Sequence, residues 1–378
     1  MKILLLGEYS NVHATLAKGL RQLGHEVTVV SNGDFWKDYP RDIDVSRGSS
    51  PLAGLRLLAR VWSILPRLRG YDVVQIVNPM FFELRAERLF PVYRYLRRHN
   101  GKVVLGAFGM DWYWVHTCTY DRPLRYSDFN IGDTVRTDPA AVREQRDWLG
   151  TTKERLNRMI ADDCDAIVTG LYEYDVCYRP HFPQKTTYIP FPIELPDRPP
   201  VLEANDGTQP LRLFIGINRE RSAYKGTDIM LQAARDVCAK YPGKVVLSIA
   251  ESVPFEQYRL MMDGSDALLD QLYAYTPSMN PLLAMSKGIV CIGGGEPENY
   301  EILGETELRP IVNVLPNYDS VYQQLEKLAL HPELLPEMKR DSIEYIRRHH
   351  DHMKVARRYE QLYQSLLKSQ ELMYAHPR

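Results

Sequence analysis

One stretch, SDALLDQLYAYTPSMNPLLAMSKGIVCIGGGEPENYE at residues 265–301, restricts the folds open to this chain more than any other. Its first apolar run, residues 267–273, has the length of a buried strand, and Thr276-Pro277 breaks it. A compact apolar helix follows, then a second apolar run at 289–292 and a glycine-rich loop ending in carboxylates. Strand, helix and strand in that order is the parallel α/β unit. A helix that starts just beyond a strand turns unpaired backbone N–H groups toward whatever lies above the sheet edge, where phosphate is held well. Gly293, Gly294 and Gly295 are expected to let the next crossing approach a ligand closely. In parallel sheets that ligand sits beyond the carboxyl ends of the strands.

The same alternation runs through the chain. Residues 3–6 are an apolar run stopped by Gly7, and a helix with Val12, Leu16, Leu20 and Leu23 on one side follows. Residues 26–31 read as the second strand. This opening is Rossmann-like but has no GxGxxG, so dinucleotide redox chemistry lacks its fingerprint. Further strands are expected at 72–78, 102–108, 165–170 and 186–192, with helices at 81–99, 138–163 and 172–178. Residues 51–65 read as a basic amphipathic helix whose apolar side is Leu52, Leu55, Leu58, Trp62 and Leu65. Residues 109–130 have no period and carry Trp112, Tyr113, Trp114, Tyr120 and Tyr126. They read either as a functional loop whose aromatics stack on sugar faces or as a loop packed on its own domain. Residues 196–210, with four prolines, read as a linker, and alternation restarts at 211–217. The division is therefore a Rossmann-like domain at 1–195, the linker at 196–210, a second Rossmann-like domain at 211–350 and a terminal helix at 351–378.

At 378 residues the chain can bury two cores, and its 44% apolar and 25% charged residues are those of an ordinary globular protein. A net charge of −1 gives no global field for nucleic acid. The distribution is uneven, with eleven basic residues against three acidic ones over 46–110, a net +8. That segment reads either as a solvated helical face or as a contact for an anionic membrane or anionic acceptor. Cys118, Cys164, Cys177, Cys238 and Cys291 form no CxxC, which fits a reducing compartment. MKILLLGEYS is too short an apolar run for a signal peptide, and no run has membrane-spanning length. The expected location is the cytoplasm, with peripheral contact to the cytoplasmic membrane face through residues 46–110.

LLAMSKGIVCIGGGEPE resembles the donor-binding segment of glycosyltransferases of family 4, where a helix LEAMAxG leads into a strand and a GGxPE loop. Lys225-Gly226 resembles that family's Lys-Gly motif. Phe108-Gly109-Met110-Asp111 resembles its His-Gly-x-Asp, with Phe108 in the histidine's place. The resemblance is strongest over 211–304. It implies an α/β protein of the GT-B fold, with two Rossmann-like domains facing each other across a cleft and a terminal helix crossing back to the first. It also implies retaining transfer of a sugar from a nucleotide-sugar, without a protein nucleophile, to a glycan, lipid-linked or small-molecule acceptor. One departure is plain: the family's Glu-x7-Glu pair falls on Tyr275 and Leu283.

By the same resemblance Lys225, with Arg219 or Arg221, meets the donor diphosphate, joined by the N–H groups of Ser278, Met279 and Asn280. Gly7, Ser10 and Asn11 are implied for the donor diphosphate or sugar; across the cleft Glu298 matches the family's PE, and Glu296, Glu298 and Asn299 are the nearest substitutes for the absent glutamate at the donor sugar or nucleoside. His13 and Asp111 are the candidate catalytic residues, contacting sugar hydroxyls. Ser10 and Asn11 read equally as helix caps, and Asp111 as a cap or turn carboxylate. No metal-ligand cluster is visible, so neither metal nor cofactor is expected beyond the nucleotide-sugar co-substrate. Charge on the leaving diphosphate would then fall to cations and helix N–H groups. The missing glutamates leave two alternatives open: a glycosyltransferase-like binding or partner subunit, and a nucleotide-sugar 2-epimerase-like enzyme, which needs a cleft of carboxylates and histidines.

Overall fold

The computed structural model describes residues 1–198, 200, 202, 209–251 and 253–375, so the larger part of the expected linker lies outside the described residues. The N-terminal half carries β1 (Lys2–Leu6), β2 (Glu26–Ser31), β3 (Ile43–Asp44), β4 (Val73–Ile76) and β5 (Lys102–Ala107). A small antiparallel hairpin, β6 (Asn130–Ile131) and β7 (Thr134–Val135), precedes β8 (Ala166–Thr169) and β9 (Thr186–Tyr188). All but the hairpin join one parallel sheet in the order β3-β2-β1-β4-β5-β8-β9. Ile3, Leu4, Leu5 and Leu6 are fully buried because β1 sits inside this sheet with helices on both faces. The second parallel sheet is built from β10 (Leu211–Ile217), β11 (Val245–Glu251), β12 (Ala267–Leu269), β13 (Val290–Gly293) and β14 (Val312–Asn313), in the order β11-β10-β12-β13-β14.

Several elements differ from the sequence expectation. The run expected as a strand to residue 273 leaves the sheet after Leu269, and Asp270 opens a loop over the sheet edge. The helix expected at 138–163 is two helices, Pro139–Trp148 and Thr152–Asp163, divided at Gly150, whose φ of 70° suits glycine. Residues 109–130 are not an open loop. Asp111 caps a helical turn, Trp112–His116, and Trp112, Tyr113, Trp114 and Tyr126 are buried, leaving only Tyr120 of the five aromatics exposed. Trp112, Tyr113 and Trp114 pack on their own domain, while Tyr126 packs against Tyr275 of the second.

The helix at Ala53–Ile64 forms, but the expected apolar side is only partly inward: Leu65 is buried and Leu58 packs partly on the core, while the main buried face is another one. Ala53, Leu57, Val61 and Ile64 are buried, while Leu52, Leu55 and Trp62 are 56%, 64% and 47% exposed.

The last helix, His352–Ala375, lies against the first helix, Val12–Gln22. An ideal Cβ on Gly19 would stand 2.7 Å from Ala356 Cβ, so only glycine allows this approach. Tyr363 donates a hydrogen bond to Gln75 Oε1 at 2.7 Å, and His25 meets Glu360 at 2.8 Å. No helix among the described residues is long and apolar enough to cross a membrane.

Candidate functional site

The carboxyl ends of the two sheets face each other across a cleft of about 1310 Å³. The loops after β1 and β2 contribute Ser10, Asn11, Trp36, Lys37 and Tyr39. Opposite them, the chain after β10 contributes Asn218, Arg219, Arg221 and Lys225, and the chain after β12 contributes Asp270 and Ser278. This crevice is where open α/β sheets bind ligands.

Within the second domain, the helix Met279–Ser286 begins at the cleft wall with Ser278 in extended conformation and no side chain capping it. The N–H groups of Ser278, Met279 and Asn280 meet no acceptor among the described residues, and Pro281 has none to offer. The ammonium of Lys225, half-buried on the wall of the same cleft, makes no hydrogen bond or ion pair among the described residues. Burial lowers its pKa, and the carboxylate of Asp270 works against that shift. Burial likewise pushes Asp270 up to about 6, opposed by Lys225. Arg221 lines the cleft and lies over the Tyr224 ring at 5.2 Å, with its charge also acting on Asp128 and Glu144, whereas Arg219 is engaged with Glu251. An open helix terminus, a lysine without an ion pair and an arginine on one cleft wall make a candidate anion site.

The matching place in the first domain is filled from within. Glu8 accepts hydrogen bonds from His13 N at 3.2 Å and Ala14 N at 2.8 Å, so its carboxylate, and neither Ser10 nor Asn11, caps the helix Val12–Gln22. Ser10 and Asn11 instead sit in left-handed conformation at φ 51° and 73° on the cleft edge. Ser10 is tied there by its N–H to Asp34 at 2.9 Å and by Lys37 Nζ to its hydroxyl at 3.2 Å.

Six of the sequence candidates do not line the cleft. Gly7 is packed under Val77 and Phe81, and its carbonyl meets the His13 ring at 2.8 Å. The other nitrogen of that ring lies 3.1 Å from Gln75 Nε2, so His13 is a fully buried core histidine and not a cleft residue. Asp111 is also fully buried; it accepts from Trp114 N at 2.9 Å and Tyr178 OH at 2.7 Å, a capping carboxylate. Asn299 is buried against Tyr345 inside the second domain. The glycine run serves the chain itself: a Cβ on Gly294 would meet the Ala274 carbonyl at 2.2 Å, so these residues approach backbone and not ligand.

Glu296 and Glu298 close the back of the domain interface. Arg125 of the first domain bonds Glu298 and, at 2.8 Å, Glu296, while Tyr126 donates to Glu296. Arg125 N donates to the Tyr275 hydroxyl at 2.7 Å and its guanidinium lies 4.9 Å from that ring's centre. Glu173 accepts from the N–H groups of Tyr275 and Thr276 at 2.6 and 3.0 Å. Arg136 donates to the carbonyls of Ala223 and Tyr224 at 2.9 and 3.0 Å, which fixes the turn that carries Lys225. Leu283, at the other end of the absent glutamate pair, does line the cleft.

Comparison with solved structures places this architecture. Sucrose-phosphate synthase from Thermosynechococcus elongatus is similar at TM-score 0.62 and 11% identity, over 98% of this chain and 100% of that one. The fold is GT-B. HepE of Anabaena, in complex with UDP and glucose, matches at TM-score 0.60 and 10% identity, over 97% of this chain and 100% of that one. A glycosyltransferase from Rickettsia africae matches at TM-score 0.54 and 12% identity, over 97% and 98% of the two chains. No protein-family model and no curated protein matches the sequence.

Sequence reasoning missed some walls of the GT-B cleft. Asp270 was hidden in an apolar run; Trp36, Lys37 and Tyr39 follow β2 without any motif. Tyr258, whose hydroxyl accepts from Asn280 at 2.8 Å, lies against Gly216, where a Cβ would meet its ring at 2.8 Å. Only a glycine at that strand position signalled it.

Proposed function

We propose that this protein transfers a sugar from a nucleotide-sugar to a glycan or lipid-linked acceptor hydroxyl, with retention and without a metal. The observation that carries the reading is the candidate anion site: the N–H groups of Ser278, Met279 and Asn280 and the ammonium of Lys225, none with a partner among the described residues, all on the wall of the interdomain cleft. Likeness to the UDP-bound and glucose-bound HepE supports it. The bond from the anomeric carbon to the diphosphate breaks with its electron pair going to phosphate oxygen. Lys225, Arg221 and the helix terminus stabilise that growing charge. The acceptor oxygen forms the new bond on the face that the diphosphate leaves, and its proton passes to the departing phosphate. The two domains hold donor and acceptor together and keep bulk water out.

A second reading has a specific observation in its favour. Glu298, which matches the family's PE, and Glu296, a nearby substitute for its missing glutamate, are held by Arg125 and Tyr126, and Tyr275 and Leu283 stand where the glutamate pair would be. A glycosyltransferase-like binding subunit fits that state. The epimerase-like reading finds no histidine among the described residues lining the cleft.

Thermal stabilisation by UDP, GDP, ADP and their sugars, with and without chelator, tests the proposal. One base should stabilise the wild type by about 2.7 kcal/mol at a hundred times its Kd. The shift should persist in chelator and vanish in Lys225→Ala. Release of that nucleotide from its sugar supports transfer; a shift without turnover supports the binding subunit. No shift with any nucleotide rejects transfer and favours a partner subunit that has lost donor binding.

A further inference from the structure

We propose that the outer face of the helix Ala53–Ile64 is a docking surface for an anionic lipid bilayer. Leu52, Leu55, Ala59 and Trp62 recur at intervals of three and four, which puts them on one stripe. All four are exposed, and the large ones are 56%, 64% and 47% exposed. The helix does not need this stripe for its own packing, because Ala53, Leu57, Val61 and Ile64 already bury the other side.

Charge identifies the occupant. From Val45 to Tyr71 the chain has no Asp or Glu and carries Arg47, Arg56, Arg60, Arg67 and Arg69, all exposed. Arg56 and Arg60 flank the apolar stripe directly. The nearest acids are engaged mainly elsewhere: Asp44 with Arg41 at 2.8 Å and only distantly with Arg60 at 4.0 Å, Asp72 with the Lys2 N–H at 2.7 Å, and Glu83 with Asn32 at 3.0 Å. Long arginine stems beside Leu and Trp, with their heads outward, suit a headgroup layer, where apolar tips enter and guanidinium groups meet phosphate. Three separate large side chains offer on the order of a few hundred Å² of apolar contact, short of the roughly 1,000 Å² of a stable protein interface.

The position of this face connects it to the cleft. Ser46 Oγ donates to the Asn32 carbonyl at 3.3 Å, and Glu83 accepts from both Arg47 N at 3.3 Å and Asn32 Nδ2 at 3.0 Å. These bonds tie the segment leading into the helix to Asn32, three residues before the turn Phe35–Lys37, whose Phe35 and Trp36 are 61% and 63% exposed. Trp36 also lines the cleft. A bilayer on this face would therefore lie at the cleft mouth and present a lipid-borne acceptor to the first domain. That last step rests on the proposed transfer; the docking does not.

The full chain is sedimented with phosphatidylcholine vesicles, with and without phosphatidylglycerol, at low and high salt. The expected result is retention on anionic vesicles at low salt and release at high salt. Leu55→Glu/Trp62→Glu should weaken partition roughly tenfold or more with an unchanged melting temperature, since both side chains are outside the core. Arg56→Gln/Arg60→Gln should flatten the salt dependence. Equal recovery on neutral and anionic vesicles overturns the proposal, as does unaltered partition of the Leu55→Glu/Trp62→Glu protein. A wild-type dimer that becomes a monomer in that variant would give the face to a second copy of the chain. None of these readouts needs turnover, so failure here leaves the sugar-transfer reading untouched and the reverse also holds.

Discussion

Burial lowers the pKa of His13 from 6.5 to about 4, with the Gly7 carbonyl opposing the shift. The unfolded chain therefore takes up this proton first as pH falls. Stability from the neutral ring is complete above about 6.5 and is lost as pH drops toward 4. His13→Gln removes that linkage while keeping an amide for the network with Gln75 and Tyr363. The variant should be less stable than wild type at pH 7.5, and the gap should narrow by about 2 kcal/mol at pH 5. Denaturant midpoints at the two pH values measure it, and a gap that stays constant refutes the linkage. The same residue shows the limit of a motif. Its place near a loop was legible in the sequence, but the ring turns inward because Gly7 and Gln75, from two different strands, offer it partners. Lys225 was legible through its resemblance to a Lys-Gly motif and Ser278 as the residue before a helix that starts beyond a strand, and both line the cleft.

Elements were legible where one period dominates. The first strands, the helix Val12–Gln22 and the strand Leu211–Ile217 lie where the apolar pattern put them. The helix Ala53–Ile64 has two apolar stripes at helical spacing, so periodicity fixes that it is a helix but not which stripe goes inside; contact with the sheet decides. The clasp from residues 125–136 was illegible, since Arg125 and Glu298 are 173 residues apart. It also carries a prediction. Arg125→Ala leaves the buried Glu296 with Tyr126 alone and frees Glu298. Because the arginine is itself largely exposed, the expected loss is about 1 kcal/mol and not the several typical of a buried pair. Small-angle scattering should show a larger radius of gyration as the domains part. If stability and radius are both unchanged, the clasp does not hold the cleft.

At the scale of the whole molecule, the chain crosses between domains twice and ends by lying along the domain where it began. Ile193 N donates to His350 O at 2.7 Å and His352 N to Ile193 O at 3.0 Å, so the two crossings run together. The terminal helix depends on Gly19, where a Cβ would meet the His352 carbonyl at 2.9 Å as well as Ala356. Two effects oppose each other in Gly19→Ala. Helix propensity favours alanine by about 1 kcal/mol, while forcing the helices apart costs about 1–3 kcal/mol. Net destabilisation is expected, and Gly19→Leu, which has no such compensation, should make residues 352–375 the first site of limited proteolysis. The groups of the anion site all belong to the second domain, so nucleotide stabilisation should survive in Gly19→Leu. Transfer needs both domains held in register and should fall. A Gly19→Leu protein as protease-resistant as wild type would show that the terminal helix has another anchor, and loss of nucleotide stabilisation would show that the first domain helps to build the anion site.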